Sequence, residues 1–198
     1  MIDWTAQWRE HAPNFADGYA HIDLGLYGIS GSLRLLPGAG FGDSSHPTTR
    51  LVLSLMAPHI KNSTFIDIGC GSGILSLAAL LGGAKLAIGL DIDEEALGNA
   101  RANGASNQLT NAHFSRHLHS SIIENPLIVM NMISSEQRMA WNSFPSLHRI
   151  ACPIITSGVL FSERQSYLEE VRSRGWQLVE ESQEDQWSAF RFRAVASR

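Results

Sequence analysis

Two spacings organise the apolar residues of this chain. Compact apolar runs at Thr64–Ile68, Leu86–Leu90 and 127–130 read as strands buried on both faces, with Ala112–Ser115 and 154–156 as shorter companions. The segments between them carry helical spacing. Residues 72–81 are apolar on nearly every side, and Asp93 caps a second helix that the Asn103-Gly104 pair is expected to stop. A further helix falls within residues 134–144, and another over 161–173. Gly175 opens a strand to about residue 179, and 187–193 alternates as another. A polar turn joins these last two, which predicts an antiparallel hairpin at one sheet edge. Ahead of residue 64, Trp4, Trp8 and His11 give a helix over 2–11, ended by Pro13. Short strands are expected near 19–27 and 32–36, and Pro47 suits the first position of a helix to about residue 57.

Strand and helix taking turns predicts an α/β fold, a mostly parallel sheet with helices on both faces. The 198 residues suit one domain of ordinary size, with no internal repeat or low-complexity segment.

Composition narrows the function classes. With 44 % hydrophobic and 17 % charged residues, the chain is globular rather than disordered. Net charge is −4, and only Lys61 and Lys85 stand beside 13 arginines. No basic run tracks a phosphate backbone, so direct nucleic-acid binding is not expected, and a basic or lysine-rich partner suits the acidic balance. Cys70 and Cys152 form neither a disulfide framework nor a metal spacing, which points to a reducing cytoplasm. His113, His117 and His119 lack an accompanying cysteine or carboxylate set, so a solvated loop is expected rather than a metal site. The start MIDWTAQWRE does not read as a signal peptide, and the apolar run 74–81 is too short to span a bilayer.

The chemistry concentrates in Asp67-Ile68-Gly69-Cys70-Gly71-Ser72-Gly73, directly after the first strand of the alternating region. A dinucleotide fingerprint needs a small residue five positions after its first glycine; here that position is Ile74. A Walker-type G-K-S/T is missing as well. Asp67 would oppose a phosphate, yet it suits a cationic ligand group. Asp91 ends the next strand, 22 residues after Gly69, where a carboxylate can accept from both ribose hydroxyls. The implied ligand is a nucleoside without phosphates that carries a cation, which S-adenosylmethionine satisfies. The competing reading is a tight turn in some other α/β protein.

Further motifs surround that turn. They are Pro37-Gly38-x-x-Phe41-Gly42 followed by His46-Pro47-Thr48-Thr49, then Asn99-Ala100-x-x-Asn103-Gly104, Asn131-Met132-Ile133-Ser134 and Ser157-Gly158-Val159-Leu160. With these, the chain resembles the class I S-adenosylmethionine-dependent methyltransferases. More closely, it is similar to the ribosomal protein L11 methyltransferase (PrmA) family of bacterial protein lysine methyltransferases. Trp4 and Trp8 resemble that family's linker-helix pair. The resemblance implies a Rossmann-like, seven-stranded sheet with an antiparallel edge hairpin. It also implies a linker helix and short strands over 1–35, a catalytic domain over 36–198, S-adenosylmethionine as cofactor, and a ribosomal protein as substrate. Family members carry a separate N-terminal recognition domain, which the matched motifs do not include and which is therefore expected to be absent. Two further departures are Gly40 for the family's alanine and Asp43-Ser44 for its Thr-Gly.

Site roles follow. Gly69, Cys70, Gly71 and Gly73 form the turn under the cofactor, with Asp67, Asp91 and Ile92 beside it. His46, Thr48 and Thr49 are expected at the methionine end, where the hydroxyls and a helix N-terminus suit its carboxylate. Ser115 is placed near the adenine by position alone. Asn131, at the carboxyl end of its strand, offers an amide oxygen to the incoming amine. Phe41 is expected to shield the methyl group, and Asp43 to bind a substrate ammonium or to cap its loop. The residues after Asn131 are not Pro-Pro-Tyr, which favours an aliphatic amine over a planar nitrogen. Alternatives are a different protein or small amine as acceptor, or a non-catalytic S-adenosylmethionine-binding module; Ile74 disfavours a dehydrogenase.

Overall fold

The computed structural model describes residues 4–12, 14–40, 42–118, 123–144 and 152–195. The chain opens with α1 (Trp4–His11), β1 (Phe15–Ala16), β2 (Tyr19–Asp23) and β3 (Ser32–Leu35), the strands forming a small antiparallel sheet in that order. The expected strand 19–27 stops early. Asp23 accepts a hydrogen bond from the Gly25 N–H at 2.9 Å, which caps a 3₁₀ turn over Leu24–Tyr27, and Gly28 leaves it at φ 80°.

Then come α2 (Pro47–Met56), β4 (Thr64–Ile68), α3 (Ile74–Leu81), β5 (Leu86–Leu90), α4 (Glu94–Ser106), β6 (Ala112–Ser115) and β7 (Pro126–Asn131). They are followed by α5 (Ser134–Ser143), β8 (Ile154–Leu160), α6 (Arg164–Ser173), β9 (Trp176–Glu184) and β10 (Trp187–Ala194). The large sheet has the order β6-β5-β4-β7-β8-β10-β9. Its first five strands are parallel, and β10 is antiparallel to both β8 and β9. The hairpin is therefore at the edge as expected, with β9 outermost.

Alternation along the strands sorts side chains onto two faces. Phe65, Ala87, Leu127 and Val129 join one core cluster with residues of α2 and α3 and with Ala20, Ile22 and Leu33 of the small sheet. Ile66, Ile68, Ile88, Ile128 and Met130 join the other, with Trp141 of α5 and Tyr167 of α6. Helices thus cover both faces. Trp176 is buried edge-to-face against Trp141, and Trp187 packs on the first cluster.

Three elements run longer than their sequence signals. Helix α4 passes through Asn103-Gly104 to Ser106. Asn103 is fully buried and hydrogen-bonded to Leu36 and Ser72, so it serves packing rather than termination, and Gly104 has no positive φ to end the helix. Strand β8 continues through Ser157-Gly158, where Gly158 at φ 89° accompanies a register shift opposite Ser188/Ala189. Strand β9 extends to Glu184 because β10 pairs with it throughout, and Glu180 and Glu181 meet Arg191 and Arg164.

Candidate active site

Strands β4, β5 and β7 end at one edge of the sheet, and β4 enters α3 through the glycine turn. Gly69, Gly71 and Gly73 all have positive φ, at 76°, 52° and 82°, which only glycine adopts cheaply. The Gly69 and Cys70 N–H groups both donate to the Leu90 carbonyl, at 2.7 and 3.0 Å. The thiol of Cys70 is buried, and burial pushes its pKa well up, so this residue offers the turn its backbone only. A Cβ at Gly73 would stand 3.0 Å from the Phe114 ring, which also occupies the space beside Gly89.

Asp91 faces the turn. One carboxylate oxygen accepts from Gly71 N–H at 2.9 Å and the other from Asp93 N–H at 3.1 Å. Each oxygen keeps a lone pair for a ribose hydroxyl. Ile92 beside it is 86 % exposed, a large apolar side chain next to the turn-facing acid. Ser115 Oγ donates to the His117 carbonyl at 2.6 Å, a local turn contact.

Asp67 is not in an open cleft. It points to the α3 side of the sheet, is fully buried, and accepts from Ser76 Oγ at 2.8 Å. Its second oxygen is buried with no partner. Desolvation, with the Asp91 charge adding to it and the Ser76 bond opposing, raises its pKa to about 7. Strand β4 is buried along its whole length, so position 67 is inside the protein and its acid is a buried group beside the glycine turn.

The loop before α2 lies directly on the glycine turn. Ser72 Oγ donates to the Gly42 carbonyl at 2.5 Å, and a Cβ on Gly40 would meet Ser72 N at 2.4 Å. Asn103 accepts from Leu36 N–H at 2.7 Å and donates to the Ser72 carbonyl at 2.9 Å. Asn99 donates to the Leu36 carbonyl at 3.1 Å, and Asn107 pairs with both the N–H and the carbonyl of Arg34. Asn99 and Asn103 were read in the sequence as part of a motif and a helix stop, and Asn107, the C-cap of α4, was not read; their common spacing of four is the signal that joins them.

Asp43 caps its own loop, accepting from Ser45 N–H at 2.8 Å and Ser45 Oγ at 2.5 Å. Arg50 donates to the Ser44 and Ser45 carbonyls and, through Nε at 2.9 Å and Nη2 at 2.5 Å, to Glu184. His46 caps α2. Burial, then the Arg50 charge, lowers its pKa, so a neutral ring accepts from Thr48 N–H, with Thr48 Oγ1 at 2.9 Å. His46 thus caps the helix, and the Thr48 hydroxyl is engaged with it. Phe41 and His119 lie outside the described residues.

Asn131 closes the site. Its amide Nδ2 donates to Thr49 Oγ1 at 3.3 Å, and its Oδ1 is buried without a partner. Met132, which the sequence did not single out, lies over the turn: a Cβ at Gly69 would be 2.3 Å from its methyl carbon. Two orphaned acceptors, Asp67 Oδ1 and Asn131 Oδ1, thus belong to the strands that end at the glycine turn, near an exposed isoleucine. That combination fits a cationic nucleoside. Among the described residues no group of three or more His, Cys, Asp or Glu side chains is disposed to hold a metal ion.

A parallel sheet with a single reversed strand, and an acid after its second strand that is hydrogen-bonded to the glycine turn, defines the Rossmann-like methyltransferase class. Within it, the sequence profile of the family described as Ribosomal protein L11 methyltransferase (PrmA) matches residues 30–194, and the chain belongs to that family. A ribosomal protein L11 methyltransferase of Neisseria gonorrhoeae is 35 % identical over 164 residues, covering 81 % of this chain and 54 % of the relative. One of Legionella pneumophila is 38 % identical over 132 residues, covering 65 % and 45 %. The crystal structure of the ribosomal protein L11 methylase of Lactobacillus delbrueckii subsp. bulgaricus superposes with a TM-score of 0.71 at 25 % identity, covering 83 % of this chain and 86 % of that one. The chain spans about half the length of the curated relatives it matches.

Proposed function

We propose that this chain binds S-adenosylmethionine over the glycine turn and directs its methyl group to an amine nitrogen, a lysine side chain of a ribosomal protein. The single observation that carries the reading is Asn131 Oδ1: a buried acceptor with no partner, held at the carboxyl end of β7. Family membership supports it, as do relatives named for that substrate.

When bound, the cofactor supplies a methyl group on a cationic sulfur with a neutral leaving group. The protein's task is alignment, exclusion of water and a neutral acceptor amine. Gly69, Gly71 and Gly73 let the nucleoside approach backbone; Asp91 takes ribose hydroxyls; Ile92 covers the base, with Ser115 nearby. Asp67 Oδ1 offers negative charge beneath the cationic end, and Thr48, Thr49 and His46 line its other side. Asn131 Oδ1 accepts a hydrogen bond from the amine, which aims the nitrogen lone pair at the methyl group. Phe41 shields that group, and the remaining oxygen of Asp43 draws the ammonium in. An aliphatic amine loses its proton more readily in a partly apolar site, so no strong base is required.

This reading divides the chain into a linker over 1–35 and a catalytic domain over 36–198, and places it in the cytoplasm with a ribosomal protein, not nucleic acid or membrane, as partner. No helix among the described residues is long and apolar enough to cross a membrane.

The test combines radiolabelled S-adenosylmethionine, purified protein and extract from cells lacking the gene, with labelled species separated by size. Label on the ribosomal protein is expected. Label on another protein or a small amine would replace the substrate; cofactor binding with no label anywhere would replace the enzyme by a binding module.

A further inference from the structure

The functional reading uses Asn131 but does not explain what holds it. Asn131 is the last residue of β7, and Met132 and Ile133 follow without regular structure before α5 begins at Ser134. A short irregular segment at a sheet edge positions a side chain accurately only if its backbone is tied down.

Three ties converge on Met132. Its N–H donates to the Ser157 carbonyl at 3.2 Å. Its carbonyl accepts from Gln137 Nε2 at 2.7 Å, and the same nitrogen donates to the Ser157 carbonyl at 3.0 Å. Its backbone lies flat against Gly158, where a Cβ would stand 2.4 Å from the Met132 oxygen. One buried amide nitrogen therefore bridges the residue after Asn131 to the residue that pairs with Asn131 across the ladder, since Asn131 and Ser157 are in register.

Gln137 is 4 % exposed, far from the solvated state usual for glutamine. Its orientation is fixed as well. Tyr167 Oη, itself buried, lies 2.6 Å from Gln137 Oε1 and 2.7 Å from Thr156 Oγ1. With the phenol donating to Oε1, both amide protons face carbonyl oxygens; a turned amide would set its oxygen against those carbonyls, with no proton between. Tyr167 comes from α6 and Thr156 from β8, so the chain of contacts runs from the sheet's second core cluster to the edge where Asn131 stands.

We infer that Gln137 is a positioning residue for methyl transfer: oriented by Tyr167, it fixes the backbone that carries Asn131 and Met132 over the glycine turn. The inference rests on the methyltransferase reading above for its catalytic consequence, but not for its structural one.

The test uses the whole chain with Gln137→Met, which keeps bulk and removes both donors, and Tyr167→Phe, which keeps Gln137 but leaves its Oε1 buried without the phenol donor. Two readouts are taken. The Met132 methyl and Asn131 side-chain amide are followed by NMR with S-adenosylhomocysteine bound, assigned through Met132→Leu and Asn131→Asp. Turnover and cofactor-product affinity are measured alongside. For Gln137→Met, both resonances should move, turnover should fall about 30-fold, and cofactor-product affinity should stay within about threefold. Tyr167→Phe should change turnover in the same direction by about three- to tenfold, and it carries the test if Gln137→Met does not fold. Lower melting temperature with unmoved resonances and wild-type turnover would make Gln137 an ordinary packing residue and overturn the inference. Moved resonances with wild-type turnover would overturn it equally. Should the wild-type chain methylate nothing, the functional reading falls, and the positioning is decided by the resonances alone: unmoved, it fails.

Discussion

Thr49 and Asn131, 82 residues apart, meet at 3.3 Å where the first turn of α2 reaches the end of β7. The bond uses the amide's donor side and leaves its acceptor side for a ligand. Thr49→Val should therefore lower turnover about tenfold while S-adenosylmethionine affinity changes little, because the amide loses orientation but not presence. Asn131→Ala should cost about 100-fold or more in turnover and about 1 kcal/mol in folding stability, since it deletes an acceptor that has no partner in the fold and one long bond to Thr49. Steady-state kinetics beside thermal melts separate the two; equal losses in both variants would remove Asn131 Oδ1 from the chemistry.

Asp67 links the cofactor to pH. Its folded pKa of about 7 lies above the ordinary 3.8, so the folded chain holds a proton that the unfolded chain has released. This contribution to stability is fully present below pH 3.8 and is lost as pH rises through about 7. A cationic ligand beside Asp67 favours the ionised form. Affinity for S-adenosylmethionine should then weaken by up to about tenfold per pH unit below 7, and binding should release protons there. Calorimetry in buffers of different ionisation heat reads that release directly; binding without proton exchange between pH 5.5 and pH 7, a window set below the same pKa, would contradict it.

Gly40 stands where the resembling family has alanine, and here it touches the turn. A Cβ would stand 2.4 Å from Ser72 N and 2.6 Å from the Gly71 carbonyl carbon, both backbone atoms. Restoring the alanine should destabilise the loop–turn contact by about 1–3 kcal/mol and weaken cofactor binding. Melting temperature and cofactor titration of Gly40→Ala test this; a more stable variant would mean that the loop moves aside without strain.

Arg50 and Glu184 hold the same loop from outside, their side chains 29 % and 37 % exposed. The pair itself contributes little to global stability in water. The local effect is larger, because Arg50 also holds the Ser44 and Ser45 carbonyls. Arg50→Met should speed amide hydrogen exchange across residues 42–46 about tenfold or more, with Glu184→Gln giving a smaller increase. Identical exchange in wild type and Arg50→Met would show that Ser72 alone retains the loop.

Much of this was legible in the sequence, and the exceptions share a cause. Strands β4, β5 and β6 were read to the residue, because compact apolar runs bounded by turn residues leave little choice. The glycine turn and Asp91 were read from spacing alone. Helix α4 overran because Asn103-Gly104 is a local stop signal, whereas its buried partners Leu36, Ser72 and Phe114 lie 31 or more residues back or 10 ahead. Asp67 was seen as an acid near a cation, but its raised pKa comes from full burial beside Ser76 of α3, a contact that the spacing of the glycine turn does not show. Arg50 and Gln137 escaped notice because no spacing marks them, and Met132 was read only as a motif neighbour of Asn131; each acts through contacts distant in the chain or through a backbone carbonyl.

The asparagine row on α4 has a mechanical meaning. Asn107 grips Arg34, Asn99 and Asn103 grip Leu36, and Asn103 continues to the Ser72 carbonyl in the glycine turn. The small N-terminal sheet and the glycine turn are thereby tied to the same short row of amides, and a displacement of Leu36 would strain the Asn103 bond to the Ser72 carbonyl.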